Sequence, residues 1–120
     1  AVADYRPETR ATEKIKKSSE ELTLKLVKNP DILATLGQQK THQKIIGFAL
    51  ETNNELEHAQ QKRIKKNADA MVLNSLNDEG AGFQTDTNKV HWVTEEGCET
   101  WPLLPKEEVA KLIVQKIVSL

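Results

Sequence analysis

A chain of 120 residues, 38% hydrophobic and 29% charged, has the make-up of one ordinary globular domain and excludes a disordered segment. A net charge of −1 argues against general affinity for nucleic acid, which scales with neutralised phosphates, and no apolar run approaches the ~20 residues that span a bilayer. Cys98 is the single cysteine, so an internal disulfide is excluded and a reducing cytoplasm is the natural compartment.

In chain order, Ala1, Val2 and Ala3 read as the end of a buried parallel strand that delivers Asp4 and Tyr5 at its carboxyl end. A lysine-rich knot follows at Lys14, Lys16 and Lys17. Residues 22–28 (LTLKLVK) alternate, with Leu22, Leu24 and Leu26 on one side, as a half-buried strand does. Asn29-Pro30-Asp31 ends it: Pro30 holds Asn29 extended and Asp31 can cap a short helix over residues 32–39. Residues 44–50 (KIIGFAL) are nearly all apolar, which predicts a parallel strand buried on both faces, with Gly47 marking a close approach. Residues 51–54 offer turn and cap groups before a helix over residues 55–67, and residues 69–73 predict another short strand. A polar loop over residues 77–88 carries Phe83, residues 89–103 predict a hairpin turning near Gly97, and Pro105 opens a final helix. In that helix Val109, Leu112, Ile113, Ile117 and Leu120 form one apolar stripe. The order predicts an α/β fold, its sheet mostly parallel, closed by a hairpin and a helix.

Few residues could carry chemistry. Asp4, at a strand's carboxyl end with lysines beyond it, suits a nucleotide's ribose and phosphates; its plainer role is a turn aspartate. The Lys14 knot is either a basic loop or a lid whose lysine neutralises charge while a phosphoryl or acyl-phosphate bond reacts. Lys62 and Lys66, four apart on a helix, are either a solvated face or two cations aimed at a triphosphate. Phe48 is a core residue or, at the sheet edge, a surface for a base. Trp92 and Trp101 suit cross-strand packing, and nothing near Cys98 would make it a thiolate. His42, His58 and His91 have no metal-ligand spacing, and no catalytic triad, carboxylate pair or zinc motif can be assembled.

Taken together, AVADYRP, KIKK, LVKNPDIL, GFALETNN and QKRIKKNADAMVLN resemble, in order, the C-terminal portion of bacterial phosphopantothenoylcysteine synthetase. The resemblance covers residues 1–120 as one part of that domain, the C-terminal half of a Rossmann-like sheet with an antiparallel dimerisation arm. It implies a ligase of coenzyme A biosynthesis that activates 4′-phosphopantothenate with CTP and Mg²⁺, giving an acyl-cytidylate that cysteine converts to an amide. It further implies that Lys14 is catalytic and contacts the nucleotide, as do Asp4, Asn29, Pro30, Asp31, Ile32 and Phe48, while Lys62 and Lys66 hold the triphosphate. FMN would belong only to a decarboxylase domain fused upstream in many relatives. NPDI beside KIKK resembles the CTP-using bacterial form. The family's other half carries a glycine-rich turn and a Ser-Asn-x-Ser-Ser-Gly-Lys stretch absent from these 120 residues, so the chain alone is expected to be inactive. A homodimer is expected, with residues 22–28 in its arm. Two other classes compete: a nonenzymatic nucleic-acid-binding module, disfavoured by the charge balance, and a purely structural dimerisation module.

Overall fold

The computed structural model describes residues 2–16, 20–75 and 85–120. Ala1, Lys17 of the lysine knot and most of the predicted polar loop, Phe83 included, lie outside the described residues. The chain divides into two units, Ala1–Ile32 and Leu33–Leu120.

The first unit is built on a two-stranded antiparallel ladder, β1 (Tyr5–Pro7) against β2 (Leu26–Lys28), with Arg6 opposite Val27. Backbone bonds extend it at both ends, from Glu8 N–H to the Lys25 carbonyl and from Asn29 N–H to the Asp4 carbonyl. Lys25 and Glu8 add an ion pair at 2.8 Å. Two expectations are corrected here. Val2 and Ala3 are exposed and lie outside any strand, and the opening strand is β1, antiparallel and solvated. The half-buried strand over residues 22–28 shrinks to β2, and Leu22, Leu24 and Leu26 are all exposed. Alternation marks the face a strand would bury; a lone two-stranded ladder supplies nothing to bury it against.

The second unit carries α1 (Ile32–Gln39, opening at the junction), β3 (Ile46–Glu51), α2 (Glu55–Lys65) and β4 (Ala70–Ser75). It continues with β5 (Thr87–Asn88), β6 (Val90–Val93), β7 (Cys98–Thr100), β8 (Leu104–Pro105) and α3 (Lys106–Val118). The main sheet has the order β3-β4-β6-β7, and β5 pairs with β8 in a short separate ladder. Among the described residues only β3 and β4, joined through α2, are parallel; β4/β6 and β6/β7 are antiparallel. The sheet is therefore mixed, and the expectation of a mostly parallel one is corrected. The apolar run of β4 reports two covered faces, and a central strand of a mixed sheet has those as well. The predicted hairpin forms as β6–β7 and closes with Thr94 N–H bonded to the Gly97 carbonyl.

Each sheet face buries its own core. Met71, Leu73 and Val93 join Ala49, Ala59 and Ala68 on the α2 side. Ala70, Val72, Val90 and Trp92 join Trp101 and Val109 on the α3 side, where Leu112, Ile113 and Ile117 of the predicted stripe also pack. Residue parity along β4 and β6 explains the split, because successive side chains point to opposite faces. Trp92 and Trp101 stack with centroids 6.1 Å apart and planes 9° apart. Among the described residues β3 has one strand neighbour, β4, so it lies at an edge. Phe48 is 67% exposed on it and Leu50 is exposed as well, which corrects the expectation of a strand buried on both faces. Gly47 meets the expected close approach, since a Cβ there would lie 2.4 Å from Met71 Sδ. Among the described residues no helix is long and apolar enough to cross a membrane.

Candidate functional site

The predicted site residues fall in both units. Asp4, Lys14, Asn29, Pro30, Asp31 and Ile32 belong to the first, and Phe48, Lys62 and Lys66 to the second.

In the first unit the β1–β2 register sets Asp4 beside Asn29, whose backbone N–H donates to the Asp4 carbonyl at 2.8 Å. The Asn29 amide is engaged at both ends. Its Nδ2 donates to the Ala3 carbonyl at 2.6 Å, and its Oδ1 accepts from Arg6 Nη1 at 3.1 Å. The same guanidinium nitrogen also donates to the Lys28 carbonyl at 2.9 Å. Asn29 is thus a clamp across the ladder, and Arg6, which the motif reading left without a role, is the other jaw. Lys14, Pro30 and Asp31 lie outside any helix or strand, Ile32 opens α1, and all four are exposed.

In the second unit α2 runs back over β3. Ala49 and Ala59, both buried, let the helix sit close to the strand. That approach brings Lys62 Nζ to 2.5 Å from Glu51 Oε1, at the carboxyl end of β3, while His58 Nδ1 lies 3.6 Å from Glu51 Oε2. Sequence reasoning used Glu51 only as a turn residue. A glutamate closing a buried strand, eleven positions before a helical lysine, was the available signal. Lys66 is the C-cap of α2, its N–H bonded to the Lys62 carbonyl. Phe48 shares its parity with Ile46, which packs on the α3 side, whereas Ala49 and Glu51 point to the α2 side. Phe48 and Lys62 therefore occupy opposite faces of the sheet, at its edge.

A hollow of about 680 Å³ opens at the carboxyl ends of β3 and β4, lined by Thr52, Asn53, Glu55, Glu57, Ser75 and His91 among others. Ser75 Oγ donates to Glu55 Oε1 at 2.6 Å within it. A second, of about 850 Å³, lies between Lys40, Arg63, the β6–β7 turn and the end of α3. Neither of these two hollows is lined by a predicted site residue. Near the second, burial and the neighbouring Glu99 push the Cys98 thiol up against an opposing Thr100 bond, which leaves it a poor nucleophile. In the same hollow, just before β4, burial would raise the Asp69 carboxyl. The Lys40 hydrogen bond, the Ile45 N–H and the charges of Lys40 and Lys44 outweigh it and hold Asp69 below the usual range. Lys40 Nζ lies 2.8 Å from Asp69 Oδ2, and the Ile45 N–H donates to the same oxygen at 2.7 Å.

Residues 1–120 match the model of the DNA/pantothenate metabolism flavoprotein C-terminal domain. The chain belongs to that family. Among relatives of this domain, it is 46% identical over 123 residues to the coenzyme A biosynthesis bifunctional protein CoaBC of Escherichia coli K12, covering 99% of the chain and 30% of that protein. A protein called cysteine/cysteine sulfinic acid decarboxylase, from an unknown prokaryotic organism, is 43% identical, with 34% of its length covered. The crystal structure of a CoaBC C-terminal domain matches with a TM-score of 0.74 at 38% identity, over 98% of this chain and 49% of that one. The DNA/pantothenate metabolism flavoprotein of Streptococcus pneumoniae, 24% identical, shares the fold with a TM-score of 0.77 over 99% of this chain and 60% of that one. The chain thus spans about a third of the curated relatives it matches.

Proposed function

We propose that this chain is the nucleotide-contacting C-terminal part of a CTP-dependent phosphopantothenate–cysteine ligase of coenzyme A biosynthesis. The observation that carries the reading is the 46% identity, along 99% of the chain, to a protein named for that biosynthesis. Within that class, NPDI beside KIKK supports CTP.

In this reading a carboxylate oxygen of 4′-phosphopantothenate attacks the α-phosphorus of CTP, the bond to the bridging oxygen breaks, and pyrophosphate leaves. The cysteine amine then attacks the acyl carbonyl, CMP departs, and the amine loses its proton. Negative charge accumulates on the departing phosphates, so cations there lower the barrier. Lys62 and Lys66 take that role on the triphosphate, and Lys14 is the catalytic lysine of acyl-cytidylate formation. Asp4, Asn29, Pro30, Asp31, Ile32 and Phe48 contact the nucleotide. The Asn29 amide, bonded to Ala3 and Arg6, also holds the ladder that presents Asp4.

Mg²⁺ fits this chain only as a companion of the substrate. Among the described residues no three His, Cys, Asp or Glu side chains are grouped to hold a metal. Magnesium commonly rides on substrate phosphates with one or two protein carboxylates, and there it neutralises charge on the leaving group. FMN would belong only to a fused decarboxylase domain, and the remaining ligase residues to the family's other half. The ligase is a cytoplasmic homodimer whose arm includes the exposed row Leu22, Leu24 and Leu26.

The test is the full-length protein carrying this chain with a Lys14→Gln substitution. Loss of acyl-cytidylate formation, with CTP binding weakened less than the rate, supports the assignment. An unchanged rate refutes it.

A further inference from the structure

Resting on that nucleotide reading, we propose that Arg6 is a positioning residue for the nucleotide site. It sets the direction of Asp4 without touching it, by acting through the Asn29 side chain.

A guanidinium can only donate, so the Asn29 atom 3.1 Å from Arg6 Nη1 has to be the amide oxygen. That choice turns Nδ2 the other way, onto the Ala3 carbonyl at 2.6 Å. The Asn29 backbone N–H donates to the Asp4 carbonyl at 2.8 Å. The Ala3 and Asp4 carbonyls belong to the two peptide planes that flank the Asp4 Cα. Because peptide planes are rigid, fixing both of them fixes where the Asp4 side chain leaves the backbone. Asn29 thus grips Asp4 from both sides, and Arg6 decides whether the first grip exists. Without the guanidinium nothing holds the amide oxygen away from Ala3, and a flipped amide would set oxygen against oxygen there. The plane before Asp4 would then come loose, while the backbone pairing of β1 with β2 needs no side chain and persists. The second bond of Nη1, to the Lys28 carbonyl at 2.9 Å, anchors the guanidinium to the partner strand.

The experiment measures CTP binding to the full-length protein by calorimetry in wild type, Arg6→Met, Asn29→Ala and the double variant. Hydrogen exchange over residues 4–8 and 25–29 reports on the ladder in each. Arg6→Met keeps the stem and removes the donors, and should weaken CTP binding about fivefold, the net worth of one hydrogen bond, with ladder exchange unchanged. In the Asn29→Ala background the same substitution should change CTP binding by less than about twofold, because the amide it works through has gone. A direct pull of the Arg6 charge on the phosphates, or a prop to the ladder through Lys28, needs no Asn29 amide. Either would give the fivefold loss in both backgrounds, and that result overturns the proposal, as does wild-type CTP binding in Arg6→Met. Should Asn29→Ala lose the ladder, Arg6→Met alone decides. Its loss should persist at about 1 M salt, where a charge effect is screened, with ladder exchange still unchanged; disappearance in salt or faster exchange overturns the proposal. Wild-type CTP binding in Asn29→Ala, its ladder intact, would instead remove the nucleotide from this ladder and with it the underlying reading.

Discussion

Asp69, just before β4, ties together separate segments of the second unit. It joins Lys40 and Lys44 and caps the N–H of Ile45, which leads into β3. Its carboxyl is held below the ordinary value near 3.8, so its contribution to stability is full above about pH 4 and is lost as pH falls through the lower folded value. Asp69→Asn should cost about 1–2 kcal/mol at pH 7 and much less at pH 3, measured by urea unfolding at both. An equal loss at both pH values would show that the charge is irrelevant. Single residues were partly legible. The motif reading singles out Asn29 and Lys62 but not the Arg6 and Glu51 bonded to them, because a partner brought near by register or by a helix crossover leaves no spacing rule in sequence.

At the scale of elements, sequence resolved the pieces in the second unit better than their directions. The bounds of α1 and the hairpin turn at Gly97 match the reading, since period, capping and turn chemistry are local. Whether β6 runs with or against β4 is not local, and an apolar strand looks the same either way. Helix contacts supply the sharpest test at this scale. A Cβ on Gly37 would lie 1.8 Å from the Lys66 carbonyl, against which the end of α1 rests, and Asn67 Nδ2 also donates to the Gly37 carbonyl at 2.9 Å. Gly37→Ala must push α1 away from that backbone and should cost about 1–3 kcal/mol, read from the urea midpoint. Trp101→Ala opens the α3 side beneath the stacked pair and should cost about 3–5 kcal/mol. Stability within error of wild type in either variant would mean that the corresponding contact does not form.

For the whole molecule, the exposed groups carry the functional argument. The edge position of β3, the solvated Phe48 and the uncovered row of Leu22, Leu24 and Leu26 are surfaces that one copy of this chain leaves open. In the proposed homodimer that leucine row is covered, so Leu24→Glu in the full-length protein should shift the sedimentation coefficient toward the monomer; an unchanged dimer would place the interface elsewhere. The most direct test of the account is the nucleotide product. The full-length protein is supplied with 4′-phosphopantothenate, cysteine and either CTP or ATP, and the products are separated by chromatography. The account predicts one CMP and one pyrophosphate per phosphopantothenoylcysteine formed, with CTP strongly preferred. Amide formation at equal rates with ATP, or none with CTP, would contradict it.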